Sequence, residues 1–222
     1  MTRRVQVLAA VCAGLLAGVG QASAQPSAAD RPIAVEISGG AALGHKSSGT
    51  VSVEADYSLN PSLALFAEYG FVGNVAPAFE SDRANIVAAL IGGSASVKDK
   101  AAMFDFGAKY VLKPVFAHYS PYVGVAAGVA RVTKDTKITV NGTALDEAAL
   151  LSQYGVQLGN DLAGETSKGT FGVLFGVSRD VGDRYAVDLS YRYTRIFPKT
   201  AEIDGDQALN VSRIQVGFLV RF

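Results

Sequence analysis

The chain has 222 residues, is 49% apolar and 18% charged, and carries 20 basic and 20 acidic side chains. That length suits a single domain with a sizeable buried area, and the neutral balance, with no basic stretch, argues against a nucleic-acid partner. With one cysteine and two histidines, neither a disulfide framework nor a metal site of the His/Cys type is expected.

Residues 1–24 read as a secretory signal peptide. Thr2-Arg3-Arg4 is a basic start, Val5 to Val19 an apolar run, and Ala22-Ser23-Ala24 a small-x-small cleavage site, the three parts of such a leader. The run is shorter than the ~20 residues of a membrane-spanning helix and is interrupted by Gly14 and Gly18. Val11, directly before Cys12, argues against a lipoprotein signal. Cleavage after Ala24 leaves one domain, 25–222, without a thiol, and loss of Arg3 and Arg4 leaves 18 basic against 20 acidic side chains, a net charge of −2.

Beyond the leader, apolar and polar residues alternate with a period of two, the mark of strands with one apolar face. Ile33 to Ala42 is the first, rich in Gly and Ala, with Glu36 within it. In the second, Val51, Val53, Ala55 and Tyr57 oppose Ser52, Glu54 and Asp56. Ser62 to Gly73 follows and contains Glu68. Next, Phe104, Phe106, Ala108, Tyr110 and Leu112 oppose Asp105, Gly107 and Lys109. Tyr122 to Val132 is again Gly- and Ala-rich. Phe171, Val173, Phe175 and Val177 then oppose Thr170, Gly172, Gly176 and Ser178. Tyr185, Val187, Leu189, Tyr191 and Tyr193 oppose Asp188, Ser190, Arg192 and Thr194. In the last strand Ile214, Val216, Phe218, Val220 and Phe222 oppose Arg213, Gln215, Gly217 and Arg221. Each of the eight is about as long as the ~9 to 11 residues of a tilted membrane-crossing strand.

Periodicity alone does not say which face points inward. Bulk and charge decide it, because an eight-stranded barrel has room inside only for its own side chains. The large aromatic rings of the apolar faces do not fit there. Placing Gly, Ser, Thr and Ala inside brings Glu36, Glu54, Asp56, Glu68, Asp105, Lys109, Asp188, Arg192, Arg213 and Arg221 into the lumen, where acids and bases pair. Connection lengths agree. Leu59-Asn60-Pro61-Ser62, Pro114 to Tyr119 and Val181-Gly182-Asp183 are the short periplasmic turns, while Asn74 to Lys100 and Thr133 to Ser167 are long surface loops. The fold expected is all-β: an eight-stranded antiparallel transmembrane β-barrel with long extracellular loops, whose last strand pairs with the first so that no edge is left in hydrocarbon.

The terminal strand, with Phe218, Val220 and Phe222 at alternate positions, resembles the assembly signal of bacterial outer-membrane barrels. Pro121-Tyr-Val-Gly-Val-Ala-Ala-Gly128 and Leu189-Ser-Tyr-Arg-Tyr-Thr194 resemble stretches of the small eight-stranded family that includes the OmpA membrane domain, OmpX and the opacity proteins. The resemblance covers essentially all of 25–222. It implies a bacterial outer-membrane location, outer-membrane lipid and lipopolysaccharide as surroundings, the barrel-assembly machinery as a partner during biogenesis, and a monomer. No cofactor is expected.

Function is read from three places. The lumen charges suit either a filled barrel or a narrow porin-like channel for small solutes. His45 and Ser47, two apart in Gly44-His45-Lys46-Ser47-Ser48, share a face on an extended chain, and a histidine activates a serine hydroxyl. Their spacing resembles the His-x-Ser element of outer-membrane lipid A deacylases, which are also eight-stranded barrels. The nearest downstream acid on the lumen face, Glu54, is roughly 20 Å away at strand rise, too far to orient His45, and the first-loop position differs from that family's. The plainer reading is a polar turn. His118, beside Tyr119 and Tyr122, fits an interfacial aromatic girdle.

The long loops are the third place. Asp82 to Leu90 suits a short helix. Lys137 to Ala144 suits a hairpin turning at Asn141-Gly142 in a type I′ turn and extending the barrel beyond the membrane. Asp146 to Tyr154 suits an amphipathic helix with Leu150 and Leu151 on one side. The expected function is a non-enzymatic outer-membrane barrel that contributes to envelope integrity and, through its loops, to surface adhesion. The alternatives are a narrow channel and a lipid A-modifying hydrolase.

Overall fold

A computed structural model describes residues 31–112, 119–145, 147–159, 162–198 and 207–222. The leader 1–24, residues 114–118 of the second short turn (including His118) and Asp146 lie outside them. Strand alternation sets the architecture: β1 (Ile33–Leu43), β2 (Ser48–Asn60) and β3 (Leu63–Val72) lead to helix α1 (Ala78–Leu90), β4 (Gly93–Val97), β5 (Lys100–Val111) and β6 (Tyr119–Lys134). A hairpin of β7 (Thr136–Val140) and β8 (Thr143–Leu145), helix α2 (Glu147–Tyr154), β9 (Gly164–Asp180), β10 (Tyr185–Ile196) and β11 (Leu209–Arg221) complete the chain.

Eight strands close into an antiparallel barrel in the order β1-β11-β10-β9-β6-β5-β3-β2. The seam between first and last strands runs from Ala34↔Arg221 to Leu43↔Ser212, and the Phe222 N–H donates to the Ile33 carbonyl at 2.8 Å. Every barrel strand therefore has two neighbours, as an edge-free membrane structure requires. No helix among the described residues is long and apolar enough to cross a membrane. At one short turn the Asn60 side chain accepts the Ser62 N–H at 2.9 Å, an Asx turn that reverses the chain between β2 and β3.

The apolar faces are outside. Ile37 is 66% exposed, Phe106 56%, Phe175 53% and Phe218 51%, whereas inward side chains on the same strands are almost fully buried. An exposed apolar belt around a polar interior is the inverse of a water-soluble barrel and matches hydrocarbon as the outer solvent.

Strands β6 and β9 are longer than the alternation suggests, at 16 and 17 residues. Their ladder continues to Lys134↔Gly164, raising the wall on one side of the loop end. There Arg131 pairs with Glu165, half-exposed or more, and Thr133 Oγ1 donates to Glu165 at 3.2 Å. The apolar outer face has given way to water at that height, so alternation fades although pairing continues.

The long loops fold together. β4, β7 and β8 form a separate three-stranded sheet, with a core of Ala76, Ala84, Ala88, Val97, Ile138, Val140, Leu150, Leu158 and Leu162 that includes residues of both helices. The expected hairpin turns at Asn141 (φ 50°) and Gly142 (φ 81°), the two positive φ angles a type I′ turn needs. It does not extend the barrel wall, however. β7 pairs with β4 from the preceding loop, Gly93↔Val140 through Val97↔Thr136, because buried Ile138 and Val140 find apolar partners there. The first loop helix begins at Ala78, ahead of the expected Asp82. In α2, Leu150 is fully buried while Leu151 is 52% exposed; consecutive helical positions lie about 100° apart, so the two do not share a side.

Candidate functional site

The lumen is built by phase. Along each strand the residues in register with a lumen charge also point inward, and the barrel wall brings together groups distant in sequence. Glu36↔Glu54 and Glu54↔Glu68 are cross-strand neighbours, and Glu68↔Asp105 continues the row. Four carboxylates side by side repel one another. Across the lumen stand Arg192 and Arg213, themselves cross-strand partners.

The two walls neutralise each other by spanning the interior. The Arg192 guanidinium donates to Glu68 at 2.6 Å and to Glu54 at 2.5 Å, and Arg213 donates to Glu68 at 2.9 Å. Lys109 donates to Glu54 and lies 3.1 Å from Asp56. Its ammonium also sits 5.2 Å from the ring centres of Phe66 and Tyr122, and Arg192 lies 5.6 Å from Phe66, within reach of cation–π attraction. Thr170 donates to Asp105 at 2.6 Å. At Gly70 a Cβ would stand 2.9 Å from Arg213 Nη1, so glycine there lets the guanidinium cross the wall to its acid.

Nine of the ten predicted lumen charges, from Glu36 to Arg213, are at least nine-tenths buried and face inward. Arg221 stands at the turn-end rim, 2.6 Å from Asp180. Tyr122 differs from expectation. It is 5% exposed and its hydroxyl donates to Asp188 at 2.8 Å; it follows the inward phase of Gly124, Ala126 and Gly128, and its ring lies over its cross-strand partner Gly176, where a Cβ would collide with it. Phe218 and Phe222 are exposed and Val220 half-buried on the outer face.

Two features of the lumen were not singled out in the sequence. On the loop side of the charge belt, Ala42, Val72, Ala101, Met103, Ala130, Val132, Ile196, Leu209 and Val211 pack as one buried cluster, an apolar stopper across the barrel. On the turn side lies a vestibule of about 470 Å³ whose lining includes Glu36, Asp56, Lys109, Tyr122 and Asp188. The signal for the stopper was phase: Met103 is two residues from Asp105, and Val211 two from Arg213.

Above the stopper, Lys134 donates to Glu80 of α1 at 2.6 Å, tying the loop fold to the barrel. Glu80 also faces Asp99, which is fully buried. Burial, then the neighbouring Glu80 carboxyl, push Asp99 up to about 8. Asn74 staples the loop base: its side-chain oxygen accepts the N–H groups of Ala76 at 3.1 Å and Asp99 at 3.2 Å, and its own N–H donates to Ser48 Oγ at 2.9 Å.

His45 and Ser47 lie exposed in the first loop, in a bend, where the shared face of an extended chain does not apply. Among the described residues, neither side chain makes a hydrogen bond. Glu54 is buried in the lumen and engaged by Lys109 and Arg192, so it does not orient His45.

A closed antiparallel barrel, apolar outside and charged within, defines the class: a protein that crosses a bilayer with strands. Residues 10–222 match the family model of the outer membrane protein beta-barrel domain, and the chain belongs to that family. Its location is accordingly the outer membrane. No curated protein matches the sequence. Among solved structures, neisserial surface protein A is similar at 17% identity and TM-score 0.53, over 86% of this chain and 96% of that one. The attachment invasion locus protein Ail of Yersinia pestis is similar at 13% identity and TM-score 0.44, over 86% and 96%. The outer membrane enzyme PagL is similar at 10% identity and TM-score 0.41, over 85% and 99%. At these identities the likeness to neisserial surface protein A concerns the fold.

Proposed function

We propose that this chain is a non-enzymatic, non-conducting barrel that contributes to the integrity of the outer membrane and carries an ordered platform for surface contact on its loop end. The observation that carries this reading is the occupied lumen: a salt-bridge belt crosses it and an apolar stopper follows. A continuous aqueous path would have to break buried ion pairs and wet a packed cluster, which weighs against the channel reading. The exposed, unlinked His45 and Ser47 weigh against the hydrolase reading.

The platform reading rests on the shared core of the two long loops and on Ile86 and Leu90, 63% and 81% exposed one turn apart on α1. Apolar side chains presented on a rigid scaffold suit adhesion. Outer-membrane lipid and lipopolysaccharide surround the barrel in this account, the chain is monomeric, residues 1–24 are removed on export, and Phe218, Val220 and Phe222 are read by the assembly machinery. Removing Phe222 is expected to slow accumulation of the heat-modifiable folded form in cells; unchanged accumulation would remove that role.

The test is the detergent sensitivity of a null strain carrying the intact protein or a barrel with 74–99 and 135–163 replaced by short turns, both at equal levels in the outer membrane. Equal rescue assigns envelope integrity to the barrel. If neither version restores resistance, the envelope reading fails.

A further inference from the structure

Glu36 is 2% exposed, lines the vestibule, and among the described residues accepts no hydrogen bond and joins no ion pair. Its carboxylate lies over Gly217 of the neighbouring strand β11, where a Cβ would collide with it, so the glycine leaves it room to bend inward. There it meets two other acids: Glu36, Glu54 and Asp56 each offer an oxygen within 4.8 Å of the others. Lys109 contacts Glu54 and Asp56 but leaves Glu36 unpaired. A carboxylate oxygen has two lone pairs, so both engaged acids keep capacity for a further ligand.

The charge balance points the same way. At the belt Glu36, Glu54, Asp56, Glu68, Asp105 and Asp188 are buried with Lys109, Arg192 and Arg213, six acids to three bases, while buried Lys134 and Lys168 stand nearer the loop end. Calcium and magnesium are held by carboxylate oxygens, with calcium oxygens at about 2.3–2.6 Å, completed by water, and the vestibule supplies both water and access.

We propose that the floor of the vestibule binds one divalent cation of the calcium or magnesium class, through Glu36, Glu54 and Asp56. The site is independent of whether the protein acts as an envelope barrel. Ion binding there supplies positive charge to the acidic wall and leaves the Arg192 bridges in place.

The experiment uses the full-length mature chain, folded in lipopolysaccharide-free zwitterionic micelles and stripped with chelator, so that lipid phosphates contribute no ions. Calorimetric titration with calcium chloride and then magnesium chloride is expected to show one saturable site and a raised unfolding temperature. Glu36→Gln, its fold checked by circular dichroism and heat-dependent gel mobility, is expected to bind about 10- to 100-fold more weakly or not at all, whereas Glu165→Gln on the outer surface is expected to bind as before. A second readout needs no Glu36 variant: terbium bound at the floor is sensitised by tyrosine light absorption, is displaced by calcium, and dims in Tyr122→Phe. Absence of saturable binding, undiminished binding by Glu36→Gln, or terbium emission indifferent to Tyr122→Phe would overturn the site.

Discussion

Replacing Arg192 by leucine removes the guanidinium that bridges the two walls while keeping an apolar stem against Phe66. Arg192 makes two charge-assisted bonds, to Glu54 and Glu68, at 2.5 and 2.6 Å, each contributing roughly 1.5–3 kcal/mol. Their simple sum overlaps the ~3–5 kcal/mol typical of breaking a buried pair. Glu54 keeps Lys109 and Glu68 keeps Arg213, which places the expected loss at the lower end, about 3 kcal/mol. With no tryptophan in the chain, urea unfolding in lipid vesicles is best followed by circular dichroism. Adding Glu54→Gln to Arg192→Leu is expected to recover about 1 kcal/mol or more, since Lys109 then serves Asp56 alone instead of two carboxylates and the belt carries one buried acid fewer. A loss below about 1 kcal/mol for Arg192→Leu would mean that the lumen is wet enough to screen its charges, and the reasoning about a sealed belt would fail.

Phe106→Arg, at the height of the charge belt on the outer face, is expected to cost about 2–4 kcal/mol in bilayers; a neutral effect would mean that this face does not meet lipid. Gly142→Val places a β-branched residue at φ 81° and is expected to cost roughly 1–3 kcal/mol locally, exposing the 135–163 loop to protease while the barrel resists. Cleavage no faster than in the parent protein would contradict the turn assignment. For Asp99 the sign follows from a proton held more tightly in the fold, where the group titrates at about 8 against an ordinary value of 3.8. Its stabilisation of the loop platform is complete below the unfolded value, declines as pH rises, and is lost above about 8. Hydrogen exchange of α1 is expected to accelerate between pH 6 and pH 9 after correction for intrinsic exchange, and Asp99→Asn to flatten that dependence. An equal pH response in both proteins would refute it.

The barrel was legible because a bilayer makes alternation obligatory: each spanning residue faces either hydrocarbon or a narrow lumen, and Glu54, Asp105, Arg192 and Arg213 mark the inner phase. The pairing of opposite charges followed from their shared burial, although which acid meets which base depends on stagger between strands that sequence does not display. Phe66, Met103 and Ile196 were harder to place, because apolar side chains are at home on either face and only their register with a neighbouring charge identifies them as inward. Tyr122 was misplaced for the same reason. In the loops, Asn141-Gly142 specifies its turn locally, but the pairing of β7 with β4 joins segments on either side of two barrel strands, and nothing local in Lys137 to Val140 names that partner.

Single-channel recording of the purified protein in planar bilayers tests the sealed lumen most directly. The account predicts silence for the intact protein across physiological voltages, with insertion verified independently, because the Arg192 bridges and the Met103 stopper occupy the path. Steady, reproducible conductance steps that change in size when Met103 is replaced by glycine would contradict it.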